Sequence, residues 1–251
     1  MRPEMFTHLA EKQNTYWWDR ARRSMGGALL RRYGATRNGR WLDVGCGPGG
    51  NLVIADTFQP DLVVGVDLSA HALELAQSNL PYPRLVRADL SRGLPFADAI
   101  FDVATIFNVI YHDWVKNDCE ALAEVARVLR RKSLLLMTEP AFPILAREWD
   151  KSVMGVRRYR RRELIECCRQ AGLKTLFASY FTSFGFPILL GLRALRRVIG
   201  DSGTGQCAEV KHLPSMLNES LFAAALLEAK AISLGLRIPF GVTLTIVAER
   251  E

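Results

Sequence analysis

The sequence predicts a single α/β domain, built on a seven-stranded, mostly parallel sheet with helices on both faces. Two observations support this prediction. Short apolar runs rich in β-branched residues alternate with helix-like stretches through the first 180 residues, and such alternation is typical of a parallel sheet. The 251 residues are 49% hydrophobic and 24% charged, which is ordinary for a globular protein with a substantial core.

Seven segments are expected to form the strands, with helices connecting them. The strands are predicted at Arg40–Val44, Leu62–Val66, Arg84–Arg87, Phe101–Phe107, Ser133–Thr138, Thr175–Tyr180 and in the closing run GVTLTIVAERE. Helices are predicted at Asn51–Phe58, Ala70–Ser78 and Asn117–Leu129. A fourth helix within residues 160–174 would end at Gly172, because glycine commonly terminates helices.

Residues 181–235 break this alternation and are predicted to form a helical insertion, or lid, before the last strand. The run FTSFGFPILLGLRALRRVIG is apolar and aromatic, with Arg193, Arg196 and Arg197 on one helical face. The polar loop DSGTGQC and the helix PSMLNESLFAAALLEAKAIS follow. The apolar face of such a helix must pack against another surface. We expect it to pack inward as a lid over the active site, and peripheral membrane contact through 181–199 is the alternative. The expected parts are an N-terminal helical segment (1–35), a cofactor-binding core (36–180), the insertion (181–235) and the final strand (236–251).

Composition narrows the class of protein. The N-terminal run MRPEMFTHLAEKQNTYWWDRARR lacks the apolar core of a secretory signal, and no window offers ~18 uncharged apolar residues that could span a membrane. Five cysteines without a C-x-x-C pair favour reduced thiols in a cytoplasmic protein over a disulfide frame or a metal site. The net charge of +7 favours an anionic partner without identifying it, and either a monomer or a homodimer is compatible with the sequence.

The run WLDVGCGPGG at 41–50 is the first motif that indicates a ligand. Gly45, Gly47 and Gly50 satisfy G-x-G-x-x-G, in which glycine allows a tight turn and close approach of a ligand to the main chain. Asp67 follows 22 residues after Gly45, at the end of the second strand, where a carboxylate can accept both hydroxyls of an adenosine ribose. Alone, this pattern also fits a nicotinamide dinucleotide site.

Three further details distinguish these alternatives. Asp43 precedes the loop, where a pyrophosphate would gain nothing from a negative charge but a ligand with an ammonium and a sulfonium would benefit. Asp89 in VRADLSRGLPF follows the third strand, where an acid can accept a hydrogen bond from an adenine amino group. The strand in FDVATIFNVIYH then ends in polar and aromatic residues. For each acid, a helix cap or a solvated turn is the alternative role.

On these motifs the chain resembles the class I S-adenosylmethionine-dependent methyltransferases, which have a Rossmann-like fold, and in particular their type 11, small-molecule branch. LDVGCGPGG is similar to the family's cofactor loop, VVGVDLS to its ribose acid, RADLSRGLPF to its adenine segment and FDVATIFNVIYH to its fourth motif. YWWDRARR at 16–23, RRYRRRELIECCRQAGL and IPFGVTLTIVAE resemble one subfamily, so the likeness covers most of residues 16–250.

The resemblance implies S-adenosylmethionine as the cofactor and assigns residues to its parts. The glycine loop and Asn108 would surround the methionine part, Asp67 the ribose and Asp89 the adenine, while Tyr16 and either Arg20 or Arg22 would reach the cofactor carboxylate. The residues assigned to cofactor binding are Asp43, Gly45, Cys46, Gly47, Gly49, Asp67, Leu68, Asp89, Leu90, Asn108, Tyr16 and Arg22.

Methyl transfer is an in-line displacement, so the protein must chiefly align the reactants and exclude water. A base is needed only where the nucleophile carries a proton. His112, at a position where the family commonly has histidine, is a candidate base, and Tyr111 replaces the acid that usually precedes it. Glu139 in MTEPAF stands where the subfamily is apolar, and could act as a base, bind an amine or stabilise a carbocation. The alternatives are a structural His112 and a Glu139 that faces solvent or pairs with an arginine.

An arginine cluster follows the fifth predicted strand. The RRY run of Arg157, Arg158 and Tyr159 recurs in the resembling subfamily, and guanidinium groups suit carboxylates and phosphates. We therefore expect these three residues, with Phe184 of the insertion, to contact an amphipathic acceptor with an anionic end. A prenyl or lipid phosphate would fit, and C-methylation of a prenyl diphosphate is conceivable. Gly155 replaces a histidine of that subfamily.

Three other functions compete with a small-molecule methyltransferase. Asp43 and Asp89 argue against a nicotinamide-dependent oxidoreductase. An RNA-binding protein would account for the basic charge, but the chain lacks interleaved stacking aromatics, and no nucleic-acid partner is expected. A non-catalytic scaffold with a cofactor fold is the hardest to dismiss, because Tyr111 and Glu139 depart from the family pattern at the expected active edge.

Overall fold

The computed structural model describes residues 3–80, 83–199 and 213–251, so the DSGTGQC loop lies outside the described residues, as do the side chains of Arg196 and Arg197. The strands are β1 (Arg40–Val44), β2 (Leu62–Asp67), β3 (Arg84–Arg87), β4 (Phe101–Phe107), β5 (Leu129–Pro140), β6 (Leu173–Phe181) and β7 (Thr243–Arg250). The helices are α1 (Pro3–Lys12), α2 (Trp17–Arg32), α3 (Val53–Asp56), α4 (Ala70–Asn79), α5 (Asp118–Val128), α6 (Glu148–Ser152), α7 (Arg161–Gln170), α8 (Gly185–Ile199) and α9 (Ser215–Ser233).

The strands form one sheet in the order β3-β2-β1-β4-β5-β7-β6, and only β7 runs antiparallel to its neighbours. This confirms the predicted seven-stranded, mostly parallel architecture with a helical segment before the last strand. Asp43 on β1 lies opposite Gly65 on β2 and Thr105 on β4. The carboxyl ends of these parallel strands therefore meet at one edge, where ligands bind in open α/β sheets.

Apolar layers cover both faces of the sheet because neighbouring residues of a strand point to opposite sides. Trp41 belongs to the cluster formed with α2 and α9, whereas the next residue, Leu42, belongs to the cluster formed with α5 and α7. Each face therefore has its own buried core, and the loops at the sheet edge are left to build the site.

Most predicted elements agree with the structure to within a few residues. Helix α5 begins where Asn117 accepts hydrogen bonds from the amides of Cys119 and Glu120, and α7 ends before Gly172, whose φ is +74°. Strand β5 is longer than predicted, because Leu129 already pairs with Phe101 of β4. Helix α3 has only 4 residues, shorter than the predicted Asn51–Phe58.

The prediction of reduced thiols was wrong for two cysteines. Cys119 on α5 and Cys167 on α7 form a disulfide, with Cα atoms 4.9 Å apart and a separation of 48 positions in sequence. Such a spacing carries no local signal, because the pair exists only where α5 and α7 pack side by side. Cys46 and Cys168 are free and buried, and Cys207 lies outside the described residues.

The two insertion helices have different environments. Helix α9 packs against α2 and buries Ala225, Ala229 and Ile232. Helix α8 leaves Ile188, Leu192 and other apolar side chains more than a third exposed. In the part of the chain that the structure describes, no helix is long and apolar enough to cross a membrane.

Candidate active site

A cavity of about 1410 Å³ opens at the carboxyl edge of the sheet. Its walls come from the loops after β1 to β5, from the N-terminal helices α1 and α2, and from α8. Of the residues predicted to form the site, those that line it are Gly45, Cys46, Gly47, Asp67, Leu68, Asp89, Leu90, Asn108, Tyr16, Arg22, Tyr111, His112, Arg158 and Phe184. The fold thus brings together residues that are up to 168 positions apart, from Tyr16 to Phe184.

The glycine loop is fastened to the end of β2. The amides of Gly45 and Cys46 donate to the Val66 carbonyl at 2.7 and 2.9 Å. Asp67 accepts from the amide of Gly47 at 2.9 Å through Oδ2 and from the amide of Ser69 at 2.8 Å through Oδ1. Burial raises the pKa of Asp67, and the amide bonds oppose that shift. Asp67 therefore fixes the loop as well as lining the cavity.

The glycines of the loop serve different purposes. A Cβ on Gly45 would lie 2.3 Å from Cγ2 of Val109, and one on Gly49 would press on Leu80 and Ala76 at 3.2 and 3.3 Å. Only Gly47, with φ +54°, would direct a Cβ into open space. Gly49 was predicted to contact the cofactor; among the described residues it packs against α4 instead of lining the cavity.

Two buried acceptor oxygens lie at the ends of β1 and β4. Asp43 accepts from Oγ1 of Thr105 at 2.6 Å through Oδ1, while its Oδ2 has no partner among the described residues. Burial raises the pKa of Asp43 to about 7. The Oδ1 atom of Asn108, a residue held at φ +57°, is likewise buried without a described partner. Asn108 lines the cavity, whereas Asp43 lies behind the wall residues Val44 and Gly45 and is not itself part of the described wall. An unsatisfied acceptor in a cavity wall fits a ligand with positive or hydrogen-bond-donating groups.

Asp89 combines its two alternative roles. Its Oδ1 accepts from the Ser91 amide at 2.9 Å and so caps the short 3₁₀ helix Leu90–Arg92. Asp89 and Leu90 both line the cavity. The cap fixes the carboxylate at the rim, so the structural role and the expected adenine contact do not exclude one another.

Of the two N-terminal arginines expected to reach the cofactor carboxylate, Arg22 lines the described cavity and Arg20 does not. Arg20 pairs with Glu219 at 2.6 Å and lies outside the cavity wall among the described residues. Arg22 lines the cavity, is 5% exposed and donates to Asp19 at 2.9 Å and to Asn51 at 3.1 Å. Its guanidinium lies 4.2 Å from the ring of Trp18. Burial lowers the pKa of Arg22, and Asp19 opposes that shift.

His112 and Tyr111 lie in the wall after β4. The His112 ring stacks on Trp114 with centroids 4.1 Å apart, and burial lowers its pKa to about 4. Burial raises the pKa of Tyr111, which therefore stays protonated. A Cβ on Gly155 would lie 2.3 Å from the Tyr111 ring. The two departures from the resembling subfamily at these positions are thus sterically coupled.

Glu139 lies behind the wall that carries Tyr111 and His112. It is fully buried, and its Oε1 accepts from the amides of Val109 at 3.0 Å and Ile110 at 3.1 Å, while its Oε2 has no partner among the described residues. Glu139 neither faces solvent nor belongs to the described cavity wall. Burial raises its pKa to about 8. Glu139 therefore holds the loop that carries Tyr111 and His112.

Arg157 and Tyr159 hold the same region from another side. Nη2 of Arg157 donates to the carbonyls of Ile110 at 2.9 Å, His112 at 2.7 Å and Val115. The Tyr159 hydroxyl donates to Asp118 at 2.8 Å. Neither residue is part of the described cavity wall. We expected both to contact an acceptor, but the Tyr159 hydroxyl and the terminal nitrogens of Arg157 bind groups inside the protein, and only the Arg157 Nε has no partner among the described residues.

Arg158 lines the cavity but is already paired. Its Nε and Nη2 each lie 2.8 Å from a carboxylate oxygen of Asp150, and its Nη1 donates to the Ala141 carbonyl at 3.1 Å. The pair is buried, so its charges cancel inside the wall. Phe184 lines the cavity beside Trp17, with ring centroids 5.8 Å apart.

Sequence reasoning missed two parts of the wall. Helix α1 contributes residues such as Lys12, which precede the resembling segment. The segment around α6 and helix α8 contribute Arg147, Trp149, Ile188 and Arg193. The one available signal was the arginine-bearing apolar helix, which indicated a lid without showing which side chains face the cavity.

The comparisons agree with this geometry. A family described as "Methyltransferase domain" matches residues 42–137. The malonyl-[acyl-carrier protein] O-methyltransferase of Enterobacter lignolyticus is 30% identical over 184 residues, 70% of each chain. The phthiotriol/phenolphthiotriol dimycocerosates methyltransferase 1 of Mycobacterium ulcerans is 35% identical over 130 residues, 50% of this chain and 47% of that relative. The chain matches half or less of the first curated relatives, from 36% to 49% of their length.

Solved structures share the fold. A chain from the complex of the Haloferax volcanii Trm112 methyltransferase activator superposes with a TM-score of 0.64 and 17% identity, covering 98% of this chain and 94% of that one. At this identity the likeness establishes the architecture alone. The family match, the curated relatives and the solved structures therefore all agree with the glycine loop and the acids at successive strand ends.

Proposed function

The chain belongs to the class I S-adenosylmethionine-dependent methyltransferases, and from this premise we propose that it transfers a methyl group to a small amphipathic acceptor with an anionic end. One observation carries the proposal: a single cavity of about 1410 Å³ includes the loop residue Gly47 and the apolar residues Phe184 and Ile188. Pockets for one drug-sized ligand span roughly 300–1,000 Å³. The cavity therefore has room for an acceptor beside the nucleotide.

When bound, S-adenosylmethionine supplies a methyl group on a positively charged sulfur. Asp67 and Asp89, which line the cavity after β2 and β3, would hold the nucleotide part: Asp67 would accept from the ribose hydroxyls, and Asp89 from the adenine amino group. Leu68 and Leu90, both in the cavity wall, cover the apolar faces of these groups. Gly47 leaves the main chain open to the methionine part, since a Cβ there would occupy the cavity.

The charged groups of the methionine part meet complementary residues. Asp43 and Asn108 offer buried oxygens without described partners, and a nearby positive ligand would lower the raised pKa of Asp43 and keep it ionised. Arg22 and Tyr16, from the N-terminal helices, bind the carboxylate. The Arg22 Nε, buried and without a described partner, has a donor left for this contact.

The wall after β4 orients the acceptor and excludes water. With a pKa of about 4, His112 is neutral at neutral pH and offers a hydrogen bond, but it holds a proton poorly. Tyr111 stays protonated and can donate. Glu139 holds the loop through Oε1 and does not belong to the described cavity wall. We therefore expect an acceptor atom that is already nucleophilic, as an ionised oxygen or an unprotonated amine is.

The names of the relatives argue against a nucleic-acid acceptor. Their names specify a malonyl-[acyl-carrier protein] and phthiotriol dimycocerosates as acceptors, and neither is a nucleic acid. Large apolar and aromatic side chains in this cavity, including Trp17, Trp149 and Phe184, suit an acceptor with an apolar body.

The test is methyl transfer from labelled S-adenosylmethionine to a panel of alkyl carboxylates and alkyl phosphates that carry a phenol or an amine at the far end, with uncharged alkyl phenols and alkyl amines of matched length. We expect a labelled product with anionic amphiphiles, suppressed by S-adenosylhomocysteine and lost in Asp67→Ala. Labelling of neutral acceptors alone would contradict the proposed substrate class. Failure to bind S-adenosylhomocysteine would contradict the proposed activity.

A further inference from the structure

The arginines of the RRY run, which the sequence offered for an anionic acceptor, are used elsewhere. Arg157 binds loop carbonyls, and Arg158 is neutralised by Asp150. Besides Arg22 and Arg23 of α2, two further arginines line the cavity: Arg147, just before α6, and Arg193, on α8. Recognition of a negative charge therefore falls to the arginines of the insertion, which the sequence also offered, rather than to the RRY run.

Arg193 has an unused donor. Its Nη1 donates to the Ala146 carbonyl at 3.0 Å, and its Nε is buried without a partner among the described residues. A buried N–H of a charged group that makes no hydrogen bond costs free energy, which a ligand oxyanion would recover. Because Arg193 donates to Ala146, helix α8 is tied to the segment that follows β5, in which Arg147 is the next residue.

The surrounding charges leave this part of the wall positive. Glu148 pairs with Lys151 at 2.8 Å, and Asp150 is taken by Arg158. Within the described residues, the structure records no ion pair for Arg193. Apolar side chains lie alongside: Ile188 and Leu192 line the cavity while remaining 58% and 48% exposed. These residues form an apolar entrance edged by guanidinium groups.

The entrance and the nucleotide residues follow different strands of the sheet. Arg193 is tied to the segment after β5, whereas Asp67 and Asp89 follow β2 and β3. In the sheet order, β2 and β5 are separated by β1 and β4. At about 4.8 Å per strand, the two sides are roughly 14 Å apart along the sheet edge. His112 and Tyr111, after β4, lie between them.

We infer that Arg193 binds the anionic end of the acceptor at this entrance. The apolar body then runs inward along α8, and the atom that receives the methyl group lies at the other end of the molecule, near His112. The inference rests on the proposed function and adds a direction: the anion is a recognition group, separate from the methylated atom.

The test measures binding to the wild-type protein saturated with S-adenosylhomocysteine. The probes are decanoate, decyl phosphate and neutral decanol, each kept below micelle formation and titrated by calorimetry. We expect the anionic probes to bind at least about tenfold more tightly than decanol, as expected for charged hydrogen bonds. Arg193→Gln should abolish this preference and Arg193→Lys should retain part of it, with S-adenosylhomocysteine affinity unchanged in both. Arg162→Gln, an exposed change of equal charge on α7, is the control and should keep the full preference.

Several results would overturn the inference. Equal affinity for anionic and neutral probes, no binding of any probe, or equal loss in Arg162→Gln would each remove the proposed subsite. Formation of methyl decanoate from S-adenosylmethionine would reverse the orientation, because the carboxylate would then be the methylated group. In all of these cases binding of S-adenosylhomocysteine would leave the proposed methyltransferase function standing, whereas loss of that binding would contradict the function itself.

Discussion

The two sides of the cavity are built in different ways. On the cofactor side, the glycine loop is held by contacts close in sequence: Asp67 reaches Gly47 across 20 positions and Ser69 across 2, at the ends of adjacent strands, although Asp43 behind the loop bonds Thr105 across 62. On the acceptor side, contacts span longer distances in sequence. Arg157 binds carbonyls 42 to 47 positions away, and Glu139 binds amides about 30 positions away.

The difference shows how a charged motif can mislead. An arginine pair beside a site suggests substrate binding, yet a buried guanidinium also needs partners wherever it lies. Here the loop after β4, which carries Tyr111 and His112, presents carbonyls to Arg157 and amides to Glu139. Charges on the acceptor side therefore serve mainly to hold the wall, and recognition falls to residues with a free donor.

The largest expected effect comes from breaking the buried ion pair of the acceptor side. Arg158→Met leaves the Asp150 carboxylate buried without its partner, which should lower the free energy of unfolding by about 3–5 kcal/mol. Denaturant unfolding measures this loss. The double variant Arg158→Met/Asp150→Leu should recover part of it, because no uncompensated charge remains. A single-variant loss under about 1 kcal/mol would show that Arg158 is available to a substrate.

Next in size is a steric change on the cofactor side. Gly45→Ala adds a Cβ that would lie 2.3 Å from Val109, at φ +69°, so we expect a loss of about 2–4 kcal/mol in unfolding free energy. Gly47→Ala has a positive φ but open space, and should lose only about 1–2 kcal/mol. It should nevertheless weaken S-adenosylhomocysteine binding, measured by calorimetry. Equal stability losses, with normal binding in Gly47→Ala, would contradict the separation of packing and ligand-facing glycines.

The smallest effect concerns the pH dependence contributed by Glu139. Its pKa is raised to about 8 in the folded protein, so the folded state retains a proton that the unfolded chain loses above its ordinary value. The stability contributed by this proton is complete below that value and is lost as pH rises toward 8. Relative to Glu139→Gln, the wild type should lose about 2 kcal/mol of unfolding free energy between pH 6 and 8.

The matched control for this measurement is Glu120→Gln, an exposed substitution on α5. Its unfolding free energy should follow the wild type across the whole pH range. Parallel curves for wild type and Glu139→Gln would mean that the Glu139 carboxyl titrates normally and that its grip on the loop amides has a different origin.

The contrast between the cofactor side and the acceptor side of the cavity also explains which features the sequence could predict. The glycine loop, Asp67 and Asp89 are recognisable because strand ends and turns place them by local rules. The Cys119–Cys167 disulfide and the roles of Glu139 and Arg157 depend on which helices and loops pack together, and no pattern of neighbouring residues encodes that. The side chains that α8 turns toward the cavity depend in addition on how the helix docks after β6.

The most direct test of the account is calorimetric titration with S-adenosylhomocysteine of the wild type, Asp67→Ala, Arg193→Gln and the exposed control Asp61→Ala. The account predicts binding to the wild type, to Arg193→Gln and to the control with similar affinity. Asp67→Ala should bind about tenfold or more weakly, because hydrogen bonds to a charged group are lost. Undiminished binding to Asp67→Ala, or equal weakening in Arg193→Gln, would contradict a cavity with separate cofactor and acceptor sides.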